Sequence, residues 1–195
     1  MKPRIVFATN NANKLEEVRR IAGESLEVLS LEQAGISREL VEDSPTLREN
    51  ALQKALQVKA LTGMDCFADD TGLEVEALGG APGVYSARYA PGPGHDSQAN
   101  MRLLLSNMWG CDNRRARFVT WIALLRGDAE PHFFKGEVRG IILQQPAGEG
   151  GFGYDPVFQP EGFTQTFAQM SALQKNQISH RGRATSALMQ YLLQG

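Results

Sequence analysis

A chain of 195 residues, 42% hydrophobic and 22% charged, can bury a sizeable core as one domain, with room for two lobes, and lacks the composition of a disordered segment. Its formal net charge of -2 excludes the basic footprint of a duplex nucleic-acid binder. Cys66 and Cys111 stand in no metal-ligand or redox spacing, no apolar run is long enough to span a membrane, and the first residues show no leader pattern, so a reduced cytoplasmic setting without a membrane partner is expected.

Arg4-Ile5-Val6-Phe7-Ala8 reads as a short buried strand, followed by the polar turn Thr9-Asn10-Asn11-Ala12-Asn13-Lys14. Leu15, Val18, Ile21 and Ala22 recur at helical spacing, Asn13 with Glu16 suggests the cap, and Gly23 stops the helix. Strand, polar loop and helix start is the geometry in which backbone N–H groups receive a phosphate. Lys14 in that first turn opposes the helix dipole, which makes sense if an anion binds there; the plain alternative is a surface lysine. Val28 to Leu31 forms a second strand. Glu42-Asp43-Ser44 then precedes a long helix, with Pro45 in its first turn and Thr46 and Glu49 as a capping box. Leu47, Ala51, Ala55, Val58 and Thr62 make its buried stripe, and Asn50 and Lys54 share another face.

Cys66-Phe67-Ala68 reads as the end of a buried strand, and Asp69-Asp70-Thr71-Gly72 follows it. Two carboxylates at a strand end suit a hard cation such as Mg²⁺, which takes oxygen ligands and shares them with substrate phosphates. Their mutual repulsion would raise one pKa, so that one holds metal while the other takes a proton from water. The plain alternative is an acidic turn. Leu73, Val75 and Ala77 alternate with glutamates as a half-exposed strand, and Gly79 to Gly83 is a turn cluster. Pro91 to Gly94 is a surface loop, Asp96 caps a helix, and Met101, Leu104, Leu105 and Met108 face the core. Ala116 to Leu125 is a central strand, His132 to Phe134 starts a further strand that Val138 to Leu143 continues or follows, and a long antiparallel pair beside βα units makes the sheet mixed. Gly148 to Asp155 is a glycine-rich loop able to approach a ligand closely. Ser179 caps the last helix, where His180 and Arg181 again oppose the dipole. No linker or repeat divides residues 1–195.

Thr9 to Lys14, Ala68-Asp69-Asp70-Thr71-Gly72, Gly79 to Gly83, Ser86-Ala87-Arg88-Tyr89, Gly151-Phe152-Gly153-Tyr154-Asp155-Pro156 and Ser179-His180-Arg181-Gly182 follow one another in an order and spacing that resembles the inosine triphosphate pyrophosphatases, the non-standard purine nucleotide pyrophosphatases, in their bacterial form. The resemblance covers essentially the whole chain. It implies an α/β fold, with a long twisted mixed sheet flanked by helices, two lobes and a central cleft. It also implies Mg²⁺-dependent hydrolysis of ITP, dITP and XTP to monophosphate and pyrophosphate by a homodimer. Carried over by motif, Thr9, Asn10, Asn11, Lys14 and Thr71 belong to the phosphate site. Glu42, Asp70 and Asp69 make up the metal site, Asp70 also as general base, with Lys54 supporting that centre. Phe152 stacks on the base, with Gly153, Tyr154 and Asp155 beside it, and Lys175, His180 and Arg181 read it. Asn10 stands where many relatives have glycine, and Gln169 and Gln174 where they often carry acids; these are expected to tune loops rather than remove activity.

The chemistry is consistent with this. Hydrolysis of a triphosphate needs its charge neutralised and a water held in line. Arginine and histidine donors suit the six-position carbonyl of inosine and xanthosine and would be left unpaired against the amino group of adenine. Three rivals fit less well. An aspartyl-phosphate phosphatase needs its two aspartates one residue apart, a pure nucleotide binder has no use for a base, and a single-strand binder stacking on Phe152 and Tyr154 would be more basic.

Overall fold

Alternation along three strands organises the first half of the molecule. The computed structural model describes residues 2–194. In it the strands are β1 (Arg4–Phe7), β2 (Glu27–Leu29), β3 (Cys66–Val75), β4 (Pro82–Gly83), β5 (Arg115–Leu125), β6 (His132–Ile142) and β7 (Phe158–Pro160). The α-helices are α1 (Ala12–Ala22), α2 (Leu47–Thr62), α3 (Ser97–Asn107), α4 (Ala172–Ile178) and α5 (His180–Gln194). The sheet order is β2-β1-β3-β5-β6-β7, with β4 paired to β3. β1 runs parallel to β2 and β3, whereas β3/β4 and β6/β7 are antiparallel, so the sheet is mixed as expected.

The chain forms two compact units. One holds the described residues up to Asp70, Thr120–Gly136 and the described residues from Arg181 on; the other holds Thr71–Val119 and Glu137–His180. In the first, Ile5, Phe7, Phe67, Ile122 and Leu124 pack with Val18 and Ala22 of α1 and Ala184 and Leu188 of α5. Their immediate neighbours Val6, Ala8, Cys66, Ala68, Ala123 and Leu125 pack with Ala51, Ala55 and Val58 of α2. Strands covered on both faces need apolar side chains at every position, which is why these segments read as continuous hydrophobic runs. The second unit has one core, in which Leu73, Val75, Phe118, Val138 and Ile142 meet Met101, Leu104 and Met108 of α3 together with Tyr154, Phe158 and Phe167.

Several local expectations are corrected. Asp69 to Gly72 do not leave a strand end, because β3 runs on to Val75 and holds both aspartates in its interior. The half-exposed strand beyond is therefore the second half of β3, ending in a 3₁₀ turn over Glu76–Leu78. α1 is capped by Asn11, not Asn13; the Asn11 side chain accepts the N–H groups of Asn13 and Lys14. Pro45 precedes the Thr46 cap of α2 instead of lying inside the helix. Thr46 accepts the Glu49 N–H, and the Glu49 carboxylate answers to the Thr46 hydroxyl at 2.9 Å. α4 comes as an addition that its short apolar content does not announce.

Phe67 is fully buried, with its ring stacked 4.6 Å from that of Phe7. Phe67→Ala should cost about 3–5 kcal/mol through lost transfer energy and the cavity left behind. Urea unfolding checks this, and a lower midpoint with an unchanged slope is the expected form.

Candidate active site

Asp69 and Asp70 are consecutive residues of one strand, so their side chains leave opposite faces. Asp69 follows Phe67 towards α1 and α5. There its Oδ1 accepts from Lys14 Nζ at 3.0 Å and its Oδ2 from Arg181 Nε at 3.0 Å, while Arg181 also donates to Glu17 at 2.6 Å. Asp70 follows Ala68 towards α2, where Asn50 Nδ2 donates to its Oδ2 at 3.1 Å and Lys54 Nζ stands 3.9 Å from its Oδ1. Lys54 also donates to Glu42 Oε2 at 2.7 Å. Glu42 and Asp70 thus converge on a single ammonium group.

The electrostatics differ on the two faces. Burial pushes the Asp69 carboxyl up, but Lys14, Arg181 and Lys54 together outweigh it and hold it well below the usual carboxylate range. Asp70 goes the other way: burial raises it, Glu42 and Asp69 add to the rise, and Lys54 and Lys14 do not cancel it. Adjacency to Asp69 is thus the least of the upward influences on Asp70, contrary to the expectation that repulsion between neighbours separates the pair. The lysines split likewise. Burial lowers Lys14, Arg181 and Lys54 lower it further, and Asp69 restores only part. Burial lowers Lys54 too, but Asp70, Glu42 and Asp69 more than compensate. Lys14 is therefore a buried cation, paired with Asp69 and lowered chiefly by desolvation, at the third position of a helix with no acid in its first turn.

The rest of the predicted phosphate loop lies beside it. Thr9 Oγ1 accepts the Asn11 N–H at 3.1 Å, which shapes the turn into α1. Asn10 is exposed, and no non-glycine residue among those described has a positive φ, so the loop does not require the glycine of its relatives. Thr71 is half-buried, one residue beyond Asp70 in β3.

The other predicted residues belong to the second unit. Lys175 Nζ donates to Asp155 Oδ2 at 2.7 Å, in a pair that is almost wholly buried. The same oxygen accepts the Phe152 N–H at 2.8 Å, and Lys175 lies 4.6 Å from the centre of the Phe152 ring. Gly151 must be glycine, since its φ is +70° and a Cβ there would overlap the Asp155 carboxylate. Gly153 also has a positive φ and turns the loop. Phe152 keeps its ring half-exposed, whereas Tyr154 joins the core and donates its hydroxyl to Ser86 O at 2.7 Å. His180 stacks on Phe118 at 4.5 Å. Gln169 and Gln174 each complete a capping box, with the backbone N–H of Thr166 and of Ser171 respectively, so an amide does there what a carboxylate could do. Sequence reasoning missed Glu17 and the role of Asn50; the only signals were their helical spacings from Lys14 and Lys54.

A cavity of about 790 Å³ in the second unit is lined by Glu74, Arg115, Arg117 and Arg139 among others, but by none of the predicted site residues. Arg117 is already paired there with Glu74 and Glu137.

The fold is a mixed α/β sheet that sets carboxylates against lysines on both faces of one strand, beside a helix start. Residues 5–191 match the Ham1 family model, and the chain belongs to that family. It is 49% identical over 97% of both chains to a protein of Porphyromonas gingivalis called dITP/XTP pyrophosphatase. Among solved structures, the Staphylococcus aureus Ham1 protein is 38% identical, with a TM-score of 0.88 over 98% of each chain. A HAM1 protein from Coxiella burnetii, 33% identical, covers 99% of this chain and is itself covered completely, with a TM-score of 0.89.

Two substitutions should act in opposite directions on the protein without ligand. Asp69→Asn strips Lys14 and Arg181 of a buried counter-ion and should cost about 3–5 kcal/mol. The Asp69 pKa is depressed on folding, so its contribution is complete above the ordinary aspartate range and is lost as pH falls through and below it. The wild type should therefore lose more stability on acidification than Asp69→Asn. The Asp70 pKa is raised, so its ionisation costs stability once pH rises past the unfolded value. Asp70→Asn should raise the melting temperature at neutral pH. Thermal melts at a series of pH values check both.

Proposed function

We propose that the protein hydrolyses non-standard purine nucleoside triphosphates, ITP, dITP and XTP, to the monophosphate and pyrophosphate, and so clears them from the nucleotide pool. The observation that carries this is the meeting of Glu42 and Asp70 on Lys54, with Lys14 paired to Asp69 on the other face of the same strand. The family and the name of the Porphyromonas relative support it.

Polyphosphate recognition is assigned to Lys14, to the start of α1 through Thr9, Asn10 and Asn11, and to Thr71. An arriving phosphate would meet a buried lysine at a helix start, where an added negative charge favours the ammonium form. Mg²⁺ is part of the proposal, held by Glu42 and Asp70. Among the described residues no group of three or more His, Cys, Asp or Glu side chains is arranged to hold a metal ion. Two carboxylates still fit this ion, which is commonly bound by one or two protein carboxylates and completed by phosphate oxygens and water. When bound, it would neutralise charge on the phosphates. Asp69, with both oxygens given to Lys14 and Arg181, serves the site by fixing those two cations.

Asp70 is assigned as the general base. Its carboxylate is a stronger proton acceptor than an ordinary one, because burial and the neighbouring Glu42 disfavour its charge. Purine recognition is assigned to the half-exposed ring of Phe152, with Gly153 and Asp155 shaping the loop and Tyr154 anchoring it, and to the donors Lys175, His180 and Arg181. A six-position carbonyl adds an acceptor to a site whose cations are otherwise held by Asp155, Asp69 and Glu17, whereas the adenine amino group brings a donor against donors, at about 1–3 kcal/mol for each buried mismatch. A homodimer and a cytoplasmic location belong to the same reading and rest on the family resemblance. No helix among the described residues is long and apolar enough to cross a membrane.

With Mg²⁺ and a nucleotide panel, pyrophosphate release should favour ITP and XTP over ATP by about 10²-fold or more, and chelation should stop it. Equal turnover of ATP and ITP overturns the selectivity, and release of orthophosphate overturns the reaction type. Asp70→Asn should lower turnover by about 10²–10⁴-fold while nucleotide still binds, as titration calorimetry would show. Light scattering should give twice the chain mass of 21.4 kDa.

A further inference from the structure

Glu42 lies on a stretch with no helix or strand, residues 41–44, yet every residue of that stretch is held by a side chain of α2. Gln57 Oε1 accepts the Val41 N–H at 2.9 Å, and Gln57 Nε2 donates to Val41 O at 2.8 Å, as a neighbouring strand would do. Lys54 takes Glu42. Gln53 Oε1 accepts the Asp43 N–H at 3.2 Å and the Ser44 hydroxyl at 3.1 Å, and its Nε2 donates to Asp43 Oδ1 at 2.7 Å. Asn50 Oδ1 accepts the Ser44 N–H at 2.8 Å, and the amide nitrogen of the same side chain reaches Asp70. Residues 41, 42, 43 and 44 are thus read off, in reverse order, by 57, 54, 53 and 50. That spacing keeps all four side chains on one stripe of the helix.

We propose that Gln53 and Gln57 are positioning residues that give Glu42 a fixed place relative to Asp70. This rests on the reading of those two carboxylates as metal ligands. An irregular segment has no ladder of its own to satisfy its backbone groups. The glutamine amides supply those partners from a helix seated on β1 and β3 through Ala51, Ala55 and Val58. Lys54 alone could not do this, since a flexible ammonium fixes a distance and not a direction. The amides fix the backbone on both sides of Glu42, so its carboxylate inherits the frame of α2, and Asn50 ties that frame to Asp70. Neither glutamine is bonded to Asp70. Their effect reaches the chemistry through Glu42, where a small displacement matters to a cation that requires near-ideal geometry.

The test uses Gln53→Met, Gln57→Met and the double variant, which keep side-chain bulk and lose the amides. Hydrogen exchange without metal should quicken by about tenfold at the Val41 and Asp43 amides, as expected for losing one or two net hydrogen bonds. The α2 interior should stay protected. Gln57→Glu retains an acceptor and should keep Val41 slow. The Mg²⁺ concentration giving half-maximal pyrophosphate release should rise several-fold in the double variant. Unchanged exchange overturns the proposal, and so does faster exchange with an unchanged Mg²⁺ requirement, which would leave the amides a purely structural tether. Glu42→Gln, with the tether intact, separates the two readings. If it too leaves the Mg²⁺ requirement unaltered, the metal assignment of Glu42 fails and takes this proposal with it. If it raises the requirement while the double variant does not, only the positioning role falls.

Discussion

The site depends on the two-residue period of β3. Because Asp69 and Asp70 are strand residues and not turn residues, the pleat sends one carboxylate to each face of the sheet. Each then meets a different helix layer and acquires a different electrostatic character. Asp69 sits among Lys14 and Arg181 as a fully committed counter-ion. Asp70 sits with Asn50, Lys54 and Glu42, and burial, aided by Glu42, raises its pKa. The carboxyl of one acid is held low and that of its neighbour is raised, a difference that follows from the face of the sheet each one occupies. A one-residue shift of register would exchange their environments.

Buried ion pairs are a weak source of net stability, because desolvation offsets most of their attraction. Here the pairs serve placement. Arg181 at the start of α5 and Lys14 at the start of α1 are brought to one carboxylate, which brings the beginnings of two helices to one strand. On the opposite face Glu42 and Asp70 are brought to the one ammonium group of Lys54. The second unit repeats the economy on a smaller scale. A single oxygen of Asp155 accepts both the Lys175 ammonium and the Phe152 amide, and so sets the loop that carries the half-exposed ring.

The positions at which the resemblance leads one to expect other residues have ordinary local geometry. Asn10 lies in a loop that asks for no left-handed residue. Gln169 and Gln174 act as capping partners, a task for which the amide oxygen is as suitable as a carboxylate.

Local patterns in the sequence determined the element types, the mixed sheet, the two-faced burial of Ile5 to Ala8 and Ala116 to Leu125, and the ordered motifs that name the site residues. Those features depend on neighbours within a few positions, which is the range over which periodicity and caps operate. Whether Asp69-Asp70 ended a strand or lay inside one was beyond that range. An acidic pair before Thr-Gly has the composition of a turn, and only pairing with distant segments keeps it extended. Tertiary structure alone decided that Tyr154 turns into the core, that Glu17 lies against Arg181 across most of the chain's length, and that the amides of α2 grip residues 41–44. Each of these is a contact between residues whose spacing carries no local signature, because burial and hydrogen-bond satisfaction are settled by where whole elements pack.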